Sequence, residues 1–163
     1  MDKNTFALLV RESEHALYRV SKSILANESD CADAVQEAIL KAYASLDSLK
    51  QEQYFKTWLV RILIHECYKI QKSRKQIVPY DEFTVDKSVS MNEDFSELHS
   101  AIMGLNEDLR MVVILYYING FSTIEIARIL RIPKGTVNSR MARARKDLKQ
   151  IIGNERMNAV WIS

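Results

Sequence analysis

Residues 122–145, STIEIARILRIPKGTVNSRMARAR, leave little freedom in how they fold. Ser122 and Glu125 stand three apart just ahead of Ile126, Ile129 and Leu130, the arrangement in which a hydroxyl and a carboxylate cap a helix N-terminus reciprocally. A helix begins here. Ile132 precedes Pro133, and a residue before proline is pushed out of the α region, so this helix closes by that point and the turn is short. Ala127 is small, as the close approach of two helices requires. Beyond the turn, Val137, Met141, Ala144 and Leu148 recur at spacings of four, three and four, an inward stripe of helical period. The outward face of this second helix is Thr136, Asn138, Ser139, Arg140, Arg143 and Lys146.

Two short helices about a tight turn, the second rich in arginine, form a helix-turn-helix of the kind that reads DNA. Polar side chains from the N-terminal half of the second helix reach base edges in a major groove, while the later Arg145, Lys146 and Lys149 reach phosphate. Arg140 and Arg143 are the expected main contacts, since arginine is bidentate to guanine. Thr136, Asn138 and Ser139 lie nearer the bases, and Lys146 sits on phosphate.

The rest of the chain is also helical in character. It has 4 Gly and 2 Pro in 163 residues, and its long stretches lack the alternation of strands, so the fold class is all-α. A hydrophobic content of 47% suffices for one ordinary core or two small ones. Net charge is only +2, yet it is segregated. Residues 56–75 carry six basic side chains against Glu66, and residues 134–149 carry six against Asp147. Between them, residues 77–108 hold eight acids and Lys87 alone as a base. Two basic helices flank an acidic connector.

Several classes of function lack a foothold. Cys31 and Cys67 fall in helical patterns without zinc-site spacing, and His15, His65 and His99 are scattered, so neither a metal nor a cofactor is expected. There is no Gly-rich phosphate loop and no nucleophile with a recognisable partner, so an enzyme is not expected. Charge arrives too early for a signal peptide, and the longest apolar run, residues 111–118, is too short to span a bilayer. A cytoplasmic protein that is not itself a membrane protein is the expectation.

Along the chain, a first helix is predicted over residues 5–26. A second is capped by Ser29, with Asp30 and Asp33 favourable in its first turn, and runs to about Leu46 through Val35, Ile39, Leu40 and Tyr43. A third, over residues 53–75, begins aromatic and ends basic, and Phe55 and Trp58 at helical spacing with Ile62 belong to its core. Residues 76–94 have the composition of a flexible acidic linker. The expected organisation is a first small helical domain over 1–75, this linker, and a second over 95–163. The second contains a helix over 106–119, stopped by Gly120, and then the helix-turn-helix.

At this point residues 6–148 resemble a bacterial sigma factor of the extracytoplasmic-function group, and three motifs carry the resemblance. Residues 30–43, DCADAVQEAILKAY, are similar to the helix that holds the clamp helices of the RNA polymerase β′ subunit; 55–63, FKTWLVRIL, to the helix that meets the −10 promoter element; and 135–145, GTVNSRMARAR, to the −35 recognition helix. Their order and spacing make the match specific. Departures are His65 and Lys69 where Asn and Asp are common, Asn106 where Pro is usual, and Arg131 at a turn position commonly Gly. The last costs about 1 kcal/mol if that residue adopts a positive φ.

The resemblance implies a dissociable promoter-specificity subunit that binds core RNA polymerase through Asp33, Gln36, Glu37 and Lys41. It implies contact with duplex and melted promoter DNA, the −10 element meeting Tyr54, Lys56, Arg61, His65, Lys69 and Lys72. Tyr54 is the candidate stacker for an unpaired base. An anti-sigma partner, of a kind often membrane-anchored, is implied as well. The rival reading is a helix-turn-helix regulator acting without the polymerase, which leaves residues 30–43 and 55–75 without a role.

Overall fold

The computed structural model describes residues 1–77 and 93–153, and among these there is no strand. Seven α-helices follow in order: α1 Lys3–Ile24, α2 Glu28–Ala44, α3 Phe55–Ile77, α4 Glu93–Met103, α5 Glu107–Val113, α6 Thr123–Leu130 and α7 Lys134–Ile152. The chain divides into two compact units, Met1–Asp86 together with Arg128–Leu130, and Lys87–Ala127 together with Arg131–Ser163.

The first unit is built from α1, α2 and α3. Asp2 caps α1, its carboxylate accepting from the amides of Asn4 at 2.8 Å and Thr5 at 3.0 Å, so α1 starts earlier than the predicted residue 5. Asn27, not Ser29, caps α2: its side chain accepts from the Asp30 amide at 3.2 Å. Either residue type can serve there. The choice of Asn27 puts Glu28 and Asp30 in the first turn of the helix and leaves Asp33, expected there, beyond it.

The buried row of α2 also differs from expectation. Cys31, Ala34, Ala38 and Ala42 are buried, whereas Leu40 is 64% and Tyr43 45% exposed. Both rows have helical period, but the alanine row lets α2 lie close against its neighbours, and larger residues from those neighbours fill the space. Leu17, Val20, Leu59, Val60 and Leu63 are fully buried, each contributing about 1.5–3 kcal/mol by its removal from water. Phe55 and Trp58 are buried as predicted. Phe55 meets Phe6 edge-on with ring centroids 5.6 Å apart.

In the second unit one core cluster is Ala101, Ile102, Leu105, Leu109, Val113, Ile114, Ala144 and Leu148, entirely apolar and drawn from α4, α5, α7 and the segments that flank α5. Helix α4 was not anticipated; it begins at Glu93, and α3 runs on to Ile77, so both helices enter the stretch expected to be linker. Residues 78–92 and 154–163 lie outside the described residues. Asn106 caps α5 by accepting from the Asp108 amide at 3.0 Å, a role open to asparagine where the family usually has proline.

The predicted helix over 106–119 is α up to Val113 and then a π turn, Ile114–Ile118. The carbonyl of Ile114 accepts from both the backbone amide and the side-chain amide of Asn119, each at 3.0 Å. Gly120 follows at φ +72°, the left-handed stop expected of it.

Candidate functional site

Helix α6 opens as predicted. The Ser122 hydroxyl accepts from the Glu125 amide at 3.2 Å, and the Glu125 carboxylate accepts from the Ser122 amide at 2.8 Å. It ends at Leu130, and Arg131 takes the left-handed conformation with φ 54° and ψ 46°. The strain anticipated at this position is therefore present. The chain then turns through Pro133 into α7, where the amides of Thr136 and Val137 donate to the Pro133 carbonyl.

The rows of α7 separate as their spacing predicted. Val137, Met141, Ala144 and Leu148 are buried; Asn138, Ser139, Arg143 and Lys146 are exposed, and Thr136 and Arg140 half-buried. Two arginines have partners that local patterning does not reveal. Arg140 Nη2 lies 3.4 Å from Asp108 Oδ2, at the start of α5. Arg145 Nε donates to the Tyr117 hydroxyl at 2.8 Å, so its guanidinium, expected on phosphate, is held on the π turn. Two arginines of this cationic surface are thus oriented by residues of α5 and the π turn.

On α3, Arg61, His65, Lys69 and Lys72 follow at spacings of four, four and three, which places them in one row. Lys69, Lys72 and His65 are exposed and Arg61 half-buried. Tyr54 ends the short 3-10 turn Glu52–Tyr54 just ahead of α3 and is 39% exposed. Lys56 is exposed but sits five residues from Arg61, about 140° around the helix, so the structure leaves it off the row.

On α2, Asp33, Gln36 and Glu37 are exposed and Lys41 is half-buried. Leu40, four residues after Gln36, adds an apolar body to that polar face. Lys41 does not face outward alone. Its ammonium donates to Glu66 Oε1 at 2.7 Å and lies 3.7 Å from Glu37 Oε1.

Glu66 is the residue that sequence reasoning passed over. It stands on the inward face of α3, three residues after Leu63 and next to Cys67, and is only 3% exposed. An acid within an apolar row was the signal that could have identified it. Beside Lys41, the His65 Nδ1 lies 3.2 Å from Oε1 and the Lys69 ammonium 3.4 Å from Oε2. Burial pushes this carboxyl up, but the hydrogen bonds from Lys41 and His65 and the nearby positive charges outweigh it and hold it below its ordinary value. The hydrogen bond to Glu66 raises Lys41 correspondingly. Charge is thereby retained in a buried place because it is paired.

A second pair joins the same helices: Arg74 donates to Asp30 through Nε at 3.0 Å and Nη2 at 2.7 Å. This bidentate geometry withdraws Arg74 from the basic surface of α3. Both cysteines are buried, and burial pushes the Cys67 thiol up to about 12. Among the described residues there is no group of three His, Cys, Asp or Glu able to hold a metal, and no helix long and apolar enough to cross a membrane.

Comparison with known proteins matches these two units separately. Residues 9–76 match the family model for sigma-70 region 2, and residues 95–148 that for sigma-70 region 4. The chain is 31% identical to the ECF RNA polymerase sigma factor SigW of Bacillus subtilis, over 91% of this chain and 89% of that protein. It is 31% identical to the ECF RNA polymerase sigma-E factor of Escherichia coli K12, over 89% and 85%. Among solved structures, the sigma factor RpoE of Bartonella quintana, crystallised with the anti-sigma factor NepR, superposes with a TM-score of 0.76 at 28% identity, over 90% of this chain and 96% of that one. CnrH, solved with the cytosolic domain of CnrY, shares the fold at a TM-score of 0.72.

Proposed function

This chain belongs to the extracytoplasmic-function sigma factors of the sigma-70 family, and from that premise we propose that its three charged faces divide the work of transcription initiation. It is an alternative sigma factor; the assignment of faces is our reading. The α7 face reads the −35 element, with Arg140 and Arg143 as principal contacts, Thr136, Asn138 and Ser139 toward the bases and Lys146 on phosphate. The α3 row meets the −10 element, with Tyr54 offering a stacking surface to an unpaired base and Arg61, His65, Lys69 and Lys72 following the backbone. Lys56 contributes only at the edge of that track.

Asp33, Gln36 and Glu37, with Leu40 beside them, form the surface for the clamp helices of core polymerase. Lys41 belongs to it chiefly by orienting Glu37, because its ammonium is bonded inward. The first unit spans 1–75 and the second 95–163 in this division of labour. Two weakly binding DNA faces on one chain gain affinity from effective concentration once both are engaged. An anti-sigma factor controls the chain by covering these faces. RpoE and CnrH were each solved with a protein partner, which supports this.

The observation that carries the reading is α7: a wholly buried row of four side chains fixes which residues face outward, and those are the ones suited to base edges and phosphate. Run-off transcription with purified core polymerase on a genomic fragment library tests it. Discrete start sites are expected, lost in the Arg140→Ala/Arg143→Ala variant. Failure of the parent protein to bind core or to direct any start would overturn the proposal.

A further inference from the structure

Glu66 joins two surfaces that the proposed function assigns to different partners. One oxygen of its carboxylate takes the Lys41 ammonium of α2 at 2.7 Å; the other takes the Lys69 ammonium of α3 at 3.4 Å. The carboxylate itself is buried, while the Lys69 side chain is 57% exposed and that of Lys41 41%. The lysines can therefore turn to solvent or to another anion, and the carboxylate cannot follow them.

We propose that Glu66 is a positioning residue that competes with promoter phosphate for Lys69, and that Lys41 sets the strength of the competition by occupying the other carboxylate oxygen. This inference rests on the promoter-facing reading of the α3 row. The longer contact belongs to the more exposed partner, so Lys69 is the cation that leaves first. The shorter contact, made by Lys41, keeps the buried charge compensated when it does, which a carboxylate in this setting requires. Glu37, 3.7 Å from Lys41, pulls the same ammonium toward the proposed polymerase surface. Whatever draws Lys41 outward strengthens the hold of Glu66 on Lys69, and whatever releases Lys41 inward weakens it. Polymerase docking on α2 and phosphate binding on α3 are thus coupled through one side chain, and linkage makes the coupling reciprocal.

A double-mutant cycle on promoter affinity tests this, using holoenzyme assembled with saturating core polymerase and a promoter fragment melted over the −10 element. The variants are Glu66→Gln, Lys69→Ala and the pair. Glu66→Gln is expected to tighten binding, and Lys69→Ala to cost about two- to fivefold more affinity in the Glu66→Gln background than in the parent, the range for a partly exposed ion pair. An equal cost in both backgrounds overturns the competition while leaving the promoter-facing role of Lys69 intact. No cost in either background removes that role as well. Should Glu66→Gln melt too low to assay, Lys41→Met supplies the opposite contrast. It leaves Glu66 to Lys69, so promoter affinity falls and Lys69→Ala costs less than in the parent; an unchanged Lys69→Ala cost again overturns the proposal. A merely structural carboxylate would lower thermal stability in these variants without changing what Lys69→Ala costs in DNA binding.

Discussion

The two units handle charge differently. In the first, two carboxylates are buried or nearly so, Asp30 and Glu66; Arg74 and Lys69 of the basic helix α3 are drawn onto them, and Lys41 of α2 joins Lys69 on Glu66. In the second, the buried cluster among the described residues contains no ionisable group, and two arginines of α7 are steered from outside, Arg140 by the exposed Asp108 and Arg145 by Tyr117. A surface whose cations are tied to buried acids can be tuned by whatever else touches those acids. A surface built on an apolar core presents a fixed set of side chains.

The largest effects should leave that contrast untouched and show that each unit has its own core. Leu59→Ala in the first and Leu148→Ala in the second replace fully buried leucines and should each cost about 2–5 kcal/mol. Hydrogen exchange should localise the loss of protection to the unit that carries the change. Spread of protection loss over both units would break the comparison.

Next come the arginines. Arg140→Ala and Arg143→Ala should each cost about 1–3 kcal/mol in −35 binding if each reads a base, measured by fluorescence anisotropy on duplexes with single base changes. An equal loss on every sequence would move the residue concerned from base to phosphate.

Acid should then separate the units. Glu66 is held below its ordinary value of 4.5 in the fold, so its contribution is present above the unfolded value and is lost as pH falls through the lower folded value. Protection of α2 and α3 should decline below about pH 4.5 before that of α5 and α7, whose shared core has no acid to protonate. Glu66→Gln should remove the difference. Hydrogen exchange across an acid titration would sharpen or sink the contrast.

The smallest effect concerns Arg131. Relief of the left-handed strain by Arg131→Gly, less the extra freedom of glycine in the unfolded chain, should stabilise the second unit by about 0.5–1 kcal/mol. Urea denaturation checks the sign.

What could be read in advance depended on how local its cause is. The Ser122–Glu125 cap, the stop at Gly120 and the buried row of α7 all follow from contacts within a turn or two of the chain, where spacing and residue type decide; the strain at Arg131 was expected only through the resemblance. The choice between the leucine and alanine rows of α2 does not, because both have the helical period and only the helices packed against α2 select one. The outward polar face of α7, by contrast, has a local cause. That Asn138, Arg143 and Lys146 would be exposed was legible from their positions opposite Val137 and Met141.

The sequence alone determined an all-helical chain, a helix-turn-helix with its outward residues, two basic segments about an acidic stretch, and through the three motifs the family. Tertiary structure decided where the charges go. Glu66 meets Lys41, Asp30 meets Arg74, Asp108 meets Arg140 and Tyr117 meets Arg145 across 25, 44, 32 and 28 residues of chain. Electrostatic partners at such separations are fixed by which helix faces pack together, and no periodicity within a helix records that.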